Sequence, residues 1–448
     1  MASAAEKLAA NMNLGAFAKA TDLKKRIWFT LGALIVYRLG TWIPMPGVNP
    51  QVLADLFRQH GGGILGMFDM LSGGALQRMT IFALNIMPYI SASIIMQLME
   101  SVLPSMEALK KEGEAGRKKI NQQTRYLTVV IAALQAYGIA AGLLGMNGVH
   151  GPAVIMQNQW LFRFTTVVTL VGGTMFLMWL GEQITARGIG QGTSLIIMAG
   201  IIAQMPHAVI ATLELGRTGA LPATVIIGLI IGVVAMVTIM VYVERAMRKV
   251  IVQYPKRQQG NKMFGGESSH LPLKLNTSGV IPPIFASSIL LMPMTVAQFA
   301  ANGGPEWLST LTAYLGQGSP LYLSIYGGLI VFFSFFYTAV VFNPTETADN
   351  LKKYGGFIPG IRPGKNTSDY LDFVLTRLTA VGAIYLTVLC VVPQFAIAKW
   401  SLPFYFSGTS LLIVVTVTMD TVSQIQSHLL AHQYEGLIKK SRLRGRRG

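Results

Sequence analysis

The chain has 448 residues, of which 52% are apolar and only 12% are charged, with a formal net charge of +17 at pH 7. Soluble domains usually carry about 25% charged residues, so this composition excludes an ordinary soluble enzyme and indicates a multispanning membrane protein. The one cysteine, Cys390, lies in an apolar run, and no cysteine and histidine cluster has metal spacing. We therefore expect no internal disulfide, no metal and no cofactor.

Ten apolar segments follow one another along the chain, each close to the roughly 20 residues that a helix needs to cross the hydrocarbon core. The predicted spans are 27–43, 79–102, 126–144, 162–184, 194–213, 221–243, 279–299, 321–342, 374–392 and 404–422. Residues 1–26 lack the apolar core and cleavage site of a secretory signal. We therefore expect a cytoplasmic N-terminal arm and a first span that stays as an anchor.

The basic residues predict the orientation of these spans. With the N-terminus in the cytoplasm, 30 of the 36 lysines and arginines fall on the inner side, in keeping with the positive-inside rule. The six on the outer side are Arg38, Arg58, Arg78, Arg163, Arg217 and Lys399. The cytoplasmic side would then hold both termini, the loops 244–276 and 343–373, and a basic tail, 423–448.

Ten spans divide into two halves of five, 27–213 and 214–422, and an odd number of spans makes the halves run in opposite directions. The second span of each half carries the same marks, because Pro88, Ser93 and Ile94 recur 195 residues later as Pro283, Ser288 and Ile289. Polar or broken helices at matching positions of inverted halves point to a functional interface at the middle of the membrane.

Proline and serine are tolerated at membrane depth where helices face one another or face water. The two marked helices are therefore expected to line a shared interior, with serines that allow close approach and weak bonds across a seam that can open. A simple kink, with the serines bonded back to the preceding turn of their own helix, is the alternative.

Upstream of the first marked helix lies "GGGILGMFDMLSGGALQR", residues 61–78, which is apolar but too short to cross the membrane and is bracketed by glycines. This pattern predicts a re-entrant, movable segment on the outer side, since irregular backbone survives at membrane depth only inside a cavity. An amphipathic helix lying on the outer surface is the alternative.

The spans hold almost no ionisable residues away from their ends. Proton relays and ion-coupled transporters normally contain them, so an apolar constriction that excludes water is the better interpretation. A secondary solute transporter with inverted repeats remains the alternative function. The spans show no credible nucleophile and base pair, so we do not expect an enzyme.

Two cytoplasmic loops are long and patterned. Loop 244–276 alternates β-branched residues on both sides of "YPKRQQG", which predicts a hairpin with Lys256 and Arg257 near its tip. In the second loop, glycine and proline neighbours hold Arg362 on a stiff turn. Such basic side chains suit RNA phosphate or an acidic protein surface. Orientation signals and solvated charge are the alternative.

Dense motifs from about Lys24 to Lys440 resemble the bacterial SecY family, whose members are the central subunits of a protein-conducting channel. They include "FALNIMPYISASIIMQL", "GTMFLMWLGEQITARGIGQGTSLII", "GVIPPIFASSI", "FNPTETADNLKK" and "PFYFSGTSLLIVV". The resemblance implies an all-α membrane protein with ten transmembrane helices, in two inverted five-helix halves around a central pore with a re-entrant plug. It also implies translocation of unfolded secretory polypeptides across the bacterial cytoplasmic (inner) membrane and lateral release of apolar segments into it.

The resemblance further implies site residues. The pore ring would be Ile86, Ile90, Thr193, Ile197, Ile284 and Ile413, with threonine at the one position where the family usually has an aliphatic residue. The plug, about 61–78, would include Ile64, Leu65, Met67, Phe68, Met70 and Leu71. A lateral gate would lie between spans two and three on one side and seven and eight on the other, with contributions from Pro88, Ser91, Ser287 and Ser288.

The implied partners are SecE and SecG in the membrane, the motor ATPase SecA, the translating ribosome through its RNA, secretory polypeptide clients and the phospholipid membrane. Lys256, Arg257 and Arg362 would make the contacts with SecA or the ribosome. Since no site in the chain hydrolyses anything, work would have to come from a partner.

Overall fold

The structure is a computed structural model. It describes residues 21–53, 55, 69, 72–144, 147–148, 151–219, 222–254, 257–259, 262–264, 268–300, 319–400 and 407–444.

The described residues are mainly helical, and each of the ten predicted spans overlaps a helix. In chain order the helices are α1 Thr21–Gly40, α2 Met87–Val102, α3 Pro104–Lys111, α4 Glu114–Leu144, α5 Gln159–Arg187, α6 Gly192–Arg217, α7 Ala223–Arg245, α8 Ile281–Ala300, α9 Pro320–Val341, α10 Pro344–Lys353, α11 Lys365–Trp400 and α12 Gly408–Arg444.

Seven helices among the described residues are long and apolar enough to cross a membrane. They correspond to α4, α5, α6 and α7, to the stretch Pro320–Lys353 that begins with α9, and to α11 and α12. The chain is therefore a multi-pass membrane protein. Helix α2 has only 16 residues, and α8 has 20. In α1, lysine and arginine occupy much of the first two turns. The count of ten membrane crossings stays a prediction.

The second predicted span, 79–102, is wrong over its first eight residues. Turns occupy 81–86, Met79 and Asn85 have positive φ angles of 46° and 49°, and the helix begins only at Met87. Pro88 is thus the second residue of α2, where its missing N–H group would have had no helical partner. Pro282 and Pro283 take the equivalent first-turn place in α8. The paired prolines mark helix starts and do not kink helix interiors.

Three two-stranded antiparallel sheets are the exception to the helical fold in the part of the chain that the structure describes. The smallest pairs β1 Asn147–Gly148 with β2 Gly151–Pro152. The predicted hairpin in loop 244–276 is confirmed, with β3 Met247–Gln253 paired to β6 Ser268–Lys274. Beyond it, β4 Arg257–Gln259 pairs with β5 Lys262–Phe264.

The chain divides into two compact units. One contains 1–92, 123–209 and 413–448, and the other contains 93–122 and 210–412. The predicted halves 27–213 and 214–422 stay a prediction.

The first unit is built around an aromatic stack and the buried face of α5. The ring centroids of Tyr37 and Phe82 are 6.3 Å apart, and those of Phe82 and Phe176 are 5.8 Å apart. Phe162, Leu170, Leu177 and Ile184 of α5 are fully buried. The stack joins α1 and α5 to the turns that precede α2.

The second unit packs α9 against α8 and α11. The ring of Phe285 meets that of Phe333 edge to face at 5.7 Å. The hydroxyl oxygens of Tyr326 and Thr409 lie 2.8 Å apart, so these buried groups satisfy each other. Cys390, 3.7 Å from the Thr409 hydroxyl, is a free thiol buried in this core.

Candidate functional sites: pore positions, plug anchor and cytoplasmic platform

The predicted ring residues sit near helix starts. Ile86 precedes α2, Thr193 is the second residue of α6 and Ile284 the fourth of α8. Ile86, Ile197 and Ile413 are buried, whereas Ile90, Thr193 and Ile284 are half-buried. Five of the six belong to the first unit, and Ile284 belongs to the second. A ring formed by all six stays a prediction.

Thr193, the atypical ring position, lies against α5. A side chain at Gly181 would place its Cβ 3.3 Å from the Thr193 methyl group. Gly192, which directly precedes Thr193, donates its N–H to the Thr185 hydroxyl oxygen at 2.9 Å. The start of α6 is therefore held close against Gly181 and Thr185 of α5.

The predicted gate residues differ in their hydrogen bonding. The Ser287 hydroxyl donates to the carbonyl oxygen of Ile284 at 2.9 Å. This bond back to the preceding turn of the same helix is the one that the alternative interpretation, a simple kink, predicts for these serines. Ser288 is buried, and its hydroxyl makes no hydrogen bond to any residue that the structure describes. Pro88 is buried and Ser91 is half-buried. Ser288 thus has a buried hydroxyl that no described residue satisfies.

The six predicted plug residues, Ile64, Leu65, Met67, Phe68, Met70 and Leu71, lie outside the described residues. What the structure does describe is the chain that follows them, residues 72–86, which we call the anchor segment. Its backbone pairs with the chain after α1. Met45 donates its N–H to Met79 O at 2.9 Å, and Ile81 donates to Ile43 O at 3.1 Å.

Asp69 caps the start of the anchor segment. Its side-chain Oδ1 accepts the Gln77 N–H at 2.7 Å, and its carbonyl oxygen accepts the Gly74 N–H at 2.8 Å and the Ser72 hydroxyl at 3.0 Å. The turn requires positive φ angles at Gly73 and Gly74, 68° and 82°, which glycine adopts without a steric cost. Asp69 therefore fixes a tight, glycine-dependent turn.

Burial sets the ionisation of Asp69. Only 5% of the residue is exposed, and burial raises the pKa of its carboxyl from 3.8 to about 6. The Gln77 N–H and the positive charge of Arg78 lower this pKa but do not offset the loss of hydration.

Helix α1 holds the same turn from its other side. Arg38 Nη1 donates to Gly73 O at 2.8 Å, and the Tyr37 hydroxyl donates to Ser72 O at 3.3 Å. The guanidinium carbon of Arg78 lies 3.6 Å from the centre of the Trp42 ring, a cation–π contact. Sequence reasoning treated Arg38 and Arg78 only as orientation signals. Asp69 and Arg78, the charges that flank the glycine pair in an apolar stretch, were a signal for this turn, whereas nothing in the sequence around Arg38 indicates its role.

Helix α5 approaches the anchor segment so closely that it needs glycine. A Cβ at Gly173 would overlap the carbonyl oxygen of Ile81, whereas a Cβ at the neighbouring Gly172 would meet nothing. The anchor segment is therefore packed between α1 and α5.

The two loops that are predicted to face the cytoplasm form one folded body, which we call the cytoplasmic platform after that prediction. Gln253 at the end of β3 exchanges two backbone hydrogen bonds with Phe357 of the second loop, at 2.8 and 2.9 Å. Beneath this bridge one apolar cluster joins the hairpin, the second loop and the start of α11 through Val250, Leu273, Ile358, Leu371, Val374 and Leu375.

Asn276 fixes the base of the hairpin. This buried side chain donates to Glu244 Oε1 at 2.6 Å and to Gly279 O at 3.1 Å, and its Oδ1 accepts from Ser278 and Gly279. The sequence alone gave no indication of a role for Asn276. It is a structural residue of the platform.

Arg362 lies on the turn that its glycine and proline neighbours predicted. The Arg362 side chain is exposed, while the neighbouring Ile361 packs on the apolar cluster. The carbonyl oxygen of Arg362 accepts the Thr367 hydroxyl at 2.9 Å. Gly360 and Gly364 on either side have φ angles of 83° and 107°. Arg257 begins β4, two residues before the hairpin turn, and Lys256 lies outside the described residues.

Comparison with known proteins shows the family to which the chain belongs. A sequence model described as SecY matches residues 80–422. The chain belongs to the SecY family. Protein translocase subunit SecY of Rickettsia conorii is 58% identical over 423 residues, which cover 94% of this chain and 97% of that protein. Protein translocase subunit SecY of Escherichia coli K12 is 54% identical over 425 residues, covering 95% and 96%.

Solved structures agree with the family at the level of fold. A protein-conducting channel is similar with a TM-score of 0.66 at 18% identity, covering 91% of this chain and 92% of that chain. Sec61 in the canine ribosome–channel complex from the endoplasmic reticulum has a TM-score of 0.63 at 17% identity, with the same coverage. The SecY-family fold therefore extends over most of the chain.

Proposed function

We propose that this chain is the channel-forming subunit of a bacterial protein translocase. Unfolded secretory polypeptides would cross the cytoplasmic membrane through it, and apolar segments would leave it sideways into lipid. The observation that carries the proposal is the 58% identity to Protein translocase subunit SecY of Rickettsia conorii over 97% of that protein.

The proposed constriction is formed by Ile86, Ile90, Thr193, Ile197, Ile284 and Ile413. The five isoleucines are apolar side chains of the kind that gate a pore by excluding water, and they can adapt to an extended chain that passes between them. The positions near helix starts support this role, because short displacements of α2, α6 and α8 would move them directly.

The proposed lateral gate uses Pro88, Ser91, Ser287 and Ser288. A buried hydroxyl without a partner, as at Ser288, costs free energy that a new hydrogen bond in another state would recover. An apolar client segment would then enter lipid with a driving force of roughly 25 cal/mol per Å² of apolar surface.

The proposed plug is 61–78, and Asp69 with the anchor segment would hold its C-terminal end to α1 and α5. Hydrogen bonds from Arg38 and Tyr37 to the turn support a fixed end. The plug would therefore be displaced by movement of its remaining length, while its attachment stays in place.

The cytoplasmic platform is proposed to dock the motor ATPase SecA and the ribosome, with Lys256, Arg257 and Arg362 as contacts. One structural neighbour, yeast Ssh1, was solved bound to the 80S ribosome. SecE and SecG are proposed as membrane partners. No catalytic role is proposed for the chain, so the work of translocation would come from the partner.

Reconstituted transport tests the proposal. Proteoliposomes containing the chain with SecE and SecG, supplied with SecA, ATP and a radiolabelled secretory precursor, are expected to protect the precursor from external protease. Protection should require ATP. Uptake of a small solute without movement of polypeptide would instead favour the secondary-transporter alternative and overturn the proposal.

Where a client passes can be tested separately. A stalled secretory chain should crosslink to single cysteines placed along the start of α2 and of α8. Crosslinks confined to other helices would exclude the proposed constriction while leaving the transport result intact.

A further inference from the structure

The glycine turn at the start of the anchor segment also packs against α6. A Cβ at Gly74 would overlap the side-chain Nε2 of Gln204, and a Cβ at Gly73 would lie 3.0 Å from the Cα of Gly200. Gln204 is buried, with 8% of the residue exposed. Arg38 of α1 already holds the carbonyl oxygen of Gly73. The turn is therefore in contact with α6 as well as with α1.

The residues of α6 that touch the turn share a helical face with two predicted ring positions. At about 100° per residue, four positions fall within about 60° of one another, namely Thr193, Ile197, Gly200 and Gln204. Gln204 lies about 10 Å beyond Ile197 along the helix axis, at roughly 1.5 Å per residue. One stretch of α6 thus carries both part of the proposed constriction and the contact with the turn, so a displacement of this stretch moves both.

Helix α6 has a break just beyond this stretch. Pro206 lies inside the helix and lacks the N–H group that would bond to the carbonyl oxygen of Ile202. Sharp bends in helices occur at such prolines. The boundary between the two compact units also falls here, since Val209 belongs to the first unit and Ile210 to the second. A bend at Pro206 displaces Gln204 without displacing the end of α6.

The two glycines form a flexible point between the proposed plug and the chain that follows it. After the turn, the backbone of Met79 and Ile81 is paired with the chain beyond α1, so that side is fixed. Before the turn, hydrogen bonds of Asp69 close it. Glycines adopt more backbone conformations than other residues, so contacts have to hold them in one of these. The buried side chain packed on Gly74 restricts the turn where it would open.

We propose that Gln204 is a positioning residue that keeps the Gly73–Gly74 turn closed while α6 is in its resting position. A client polypeptide that displaces α6 at the constriction moves Gln204 away from Gly74. The turn then opens at the glycines, and the plug swings about them while Arg38 still holds Gly73 on α1. This inference rests on the proposed function and adds to it the residue through which the constriction acts on the plug.

Ser72→Cys reports whether the turn is open, because Ser72 directly precedes the glycines and only 2% of the residue is exposed. In a Cys390→Ala background this is the one thiol of the chain. The chain is reconstituted with its partner subunits and treated with a small water-soluble maleimide. Gln204→Ala is expected to raise the rate of labelling by about fivefold, the change in an open population that a lost contact of about 1 kcal/mol produces.

Two further variants separate positioning from a general loss of stability. Gln204→Met keeps a side chain of the same length over Gly74, and it should be labelled at the rate of the chain that keeps Gln204. Ile202→Ala lies on the opposite face of α6, where Ile202 is 43% exposed, and it should also leave the rate unchanged. A lower midpoint of thermal unfolding in Gln204→Ala that accounts for its faster labelling would show a merely structural role and overturn the proposal.

A stalled secretory chain tests the link to the constriction. It should raise the labelling of Ser72→Cys by about fivefold in the chain that keeps Gln204, since the client displaces α6. In Gln204→Ala the client should cause no further rise, because the contact with Gly74 is already absent. A further rise in that variant would overturn the proposal.

Equal resting rates with and without Gln204→Ala would also overturn it, as would an equal increase in Ile202→Ala. If Gln204→Ala does not insert, Gln204→Asn, which withdraws the amide by one methylene, is measured in its place, and an unchanged resting rate again contradicts the proposal. The resting rate needs no client. It therefore tests the Gln204 contact even if the chain moves no polypeptide, a result that would overturn the proposed function instead.

Discussion

At the residue scale, Asp69 couples ionisation to the attachment of the proposed plug. Its carboxyl is buried and accepts the backbone N–H of Gln77, and burial raises its pKa to about 6. A carboxyl whose pKa is higher in the folded state binds its proton more tightly there. The anchor is thus most stable at acidic pH and loses stability as the pH rises from about 4 to about 6.

Asp69→Asn should therefore stabilise the anchor above pH 6. The amide oxygen keeps the bond from the Gln77 N–H, while the cost of burying a charge disappears. The gain is at most about 3 kcal/mol at pH 7.5, from a shift of about two pKa units, and it should vanish near pH 4. Thermal unfolding of the purified chain at the two pH values measures it.

The exposed Asp349 provides a control, and Asp349→Asn should leave the midpoint of unfolding unchanged at both pH values. An Asp69→Asn variant that is less stable at pH 7.5 than the unsubstituted chain would show that the ionised carboxylate is needed, which contradicts this account.

At the element scale, the anchor segment depends on the approach of α5. The Gly172–Gly173 pair separates packing from helix propensity, because only the second glycine faces the Ile81 carbonyl. Gly173→Ala should destabilise the chain by about 1–3 kcal/mol, as overpacking does. Gly172→Ala should be neutral or stabilise it by up to about 1 kcal/mol.

Thermal unfolding of both variants in the same detergent tests this difference. Equal midpoints for Gly172→Ala and Gly173→Ala would mean that α5 does not press on the anchor segment.

The cytoplasmic platform holds Arg362 on a fixed turn. Reversing the charge of this residue should prevent a partner from driving translocation. Arg362→Glu is expected to reduce SecA-driven translocation at least tenfold, since like charges across an interface cost several kcal/mol. The protein should still insert and unfold at the same temperature, because the side chain is exposed.

Arg217→Glu, at the exposed end of α6 on the predicted outer side, should translocate normally. Normal translocation and unchanged SecA and ribosome affinity in Arg362→Glu would remove this loop from the mechanism.

At the scale of the whole molecule, apolar runs were enough to locate a helix at each predicted span. Side-chain alternation also predicted the hairpin of β3 and β6. The start of α2 was misplaced because residues 79–86 are as apolar as the helix, and only the turn geometry at Met79 and Asn85 distinguishes them.

Long-range pairing could not be predicted. Nothing in the local sequence of Gln253 or Phe357 indicates that they bond across a hundred residues, and the same holds for Arg38 and Gly73. The six ring residues came from resemblance alone, because periodicity does not distinguish them from isoleucines that face lipid.

A direct test of the ring replaces Ile90 and Ile284 together by glycine. If these side chains exclude water from a resting channel, the double variant should conduct ions in a planar bilayer while the unsubstituted chain does not. The exposed Ile231 and Ile384, replaced in the same way, should leave the bilayer sealed. Unchanged conductance in the Ile90 and Ile284 variant would mean that they do not form the constriction.

The orientation of the chain is testable with single cysteines in a Cys390→Ala background. Cysteine at Lys353 should react with a membrane-impermeant maleimide only when the cytoplasmic side is accessible. Cysteine at Thr218, just past α6, should react from the opposite side. Labelling of both from the same side would contradict the positive-inside assignment.

The bridge between Gln253 and Phe357 has a mechanical consequence. Because the hairpin and the second loop share backbone bonds and one apolar cluster with the start of α11, a load applied to either loop is borne by both. Part of that load reaches the membrane helices through α11, because Leu371, Val374 and Leu375 of the cluster lie on it. A motor that presses on one loop and a large ribonucleoprotein that grips the other would therefore displace the same helix, so chemically unrelated partners could drive a single movement.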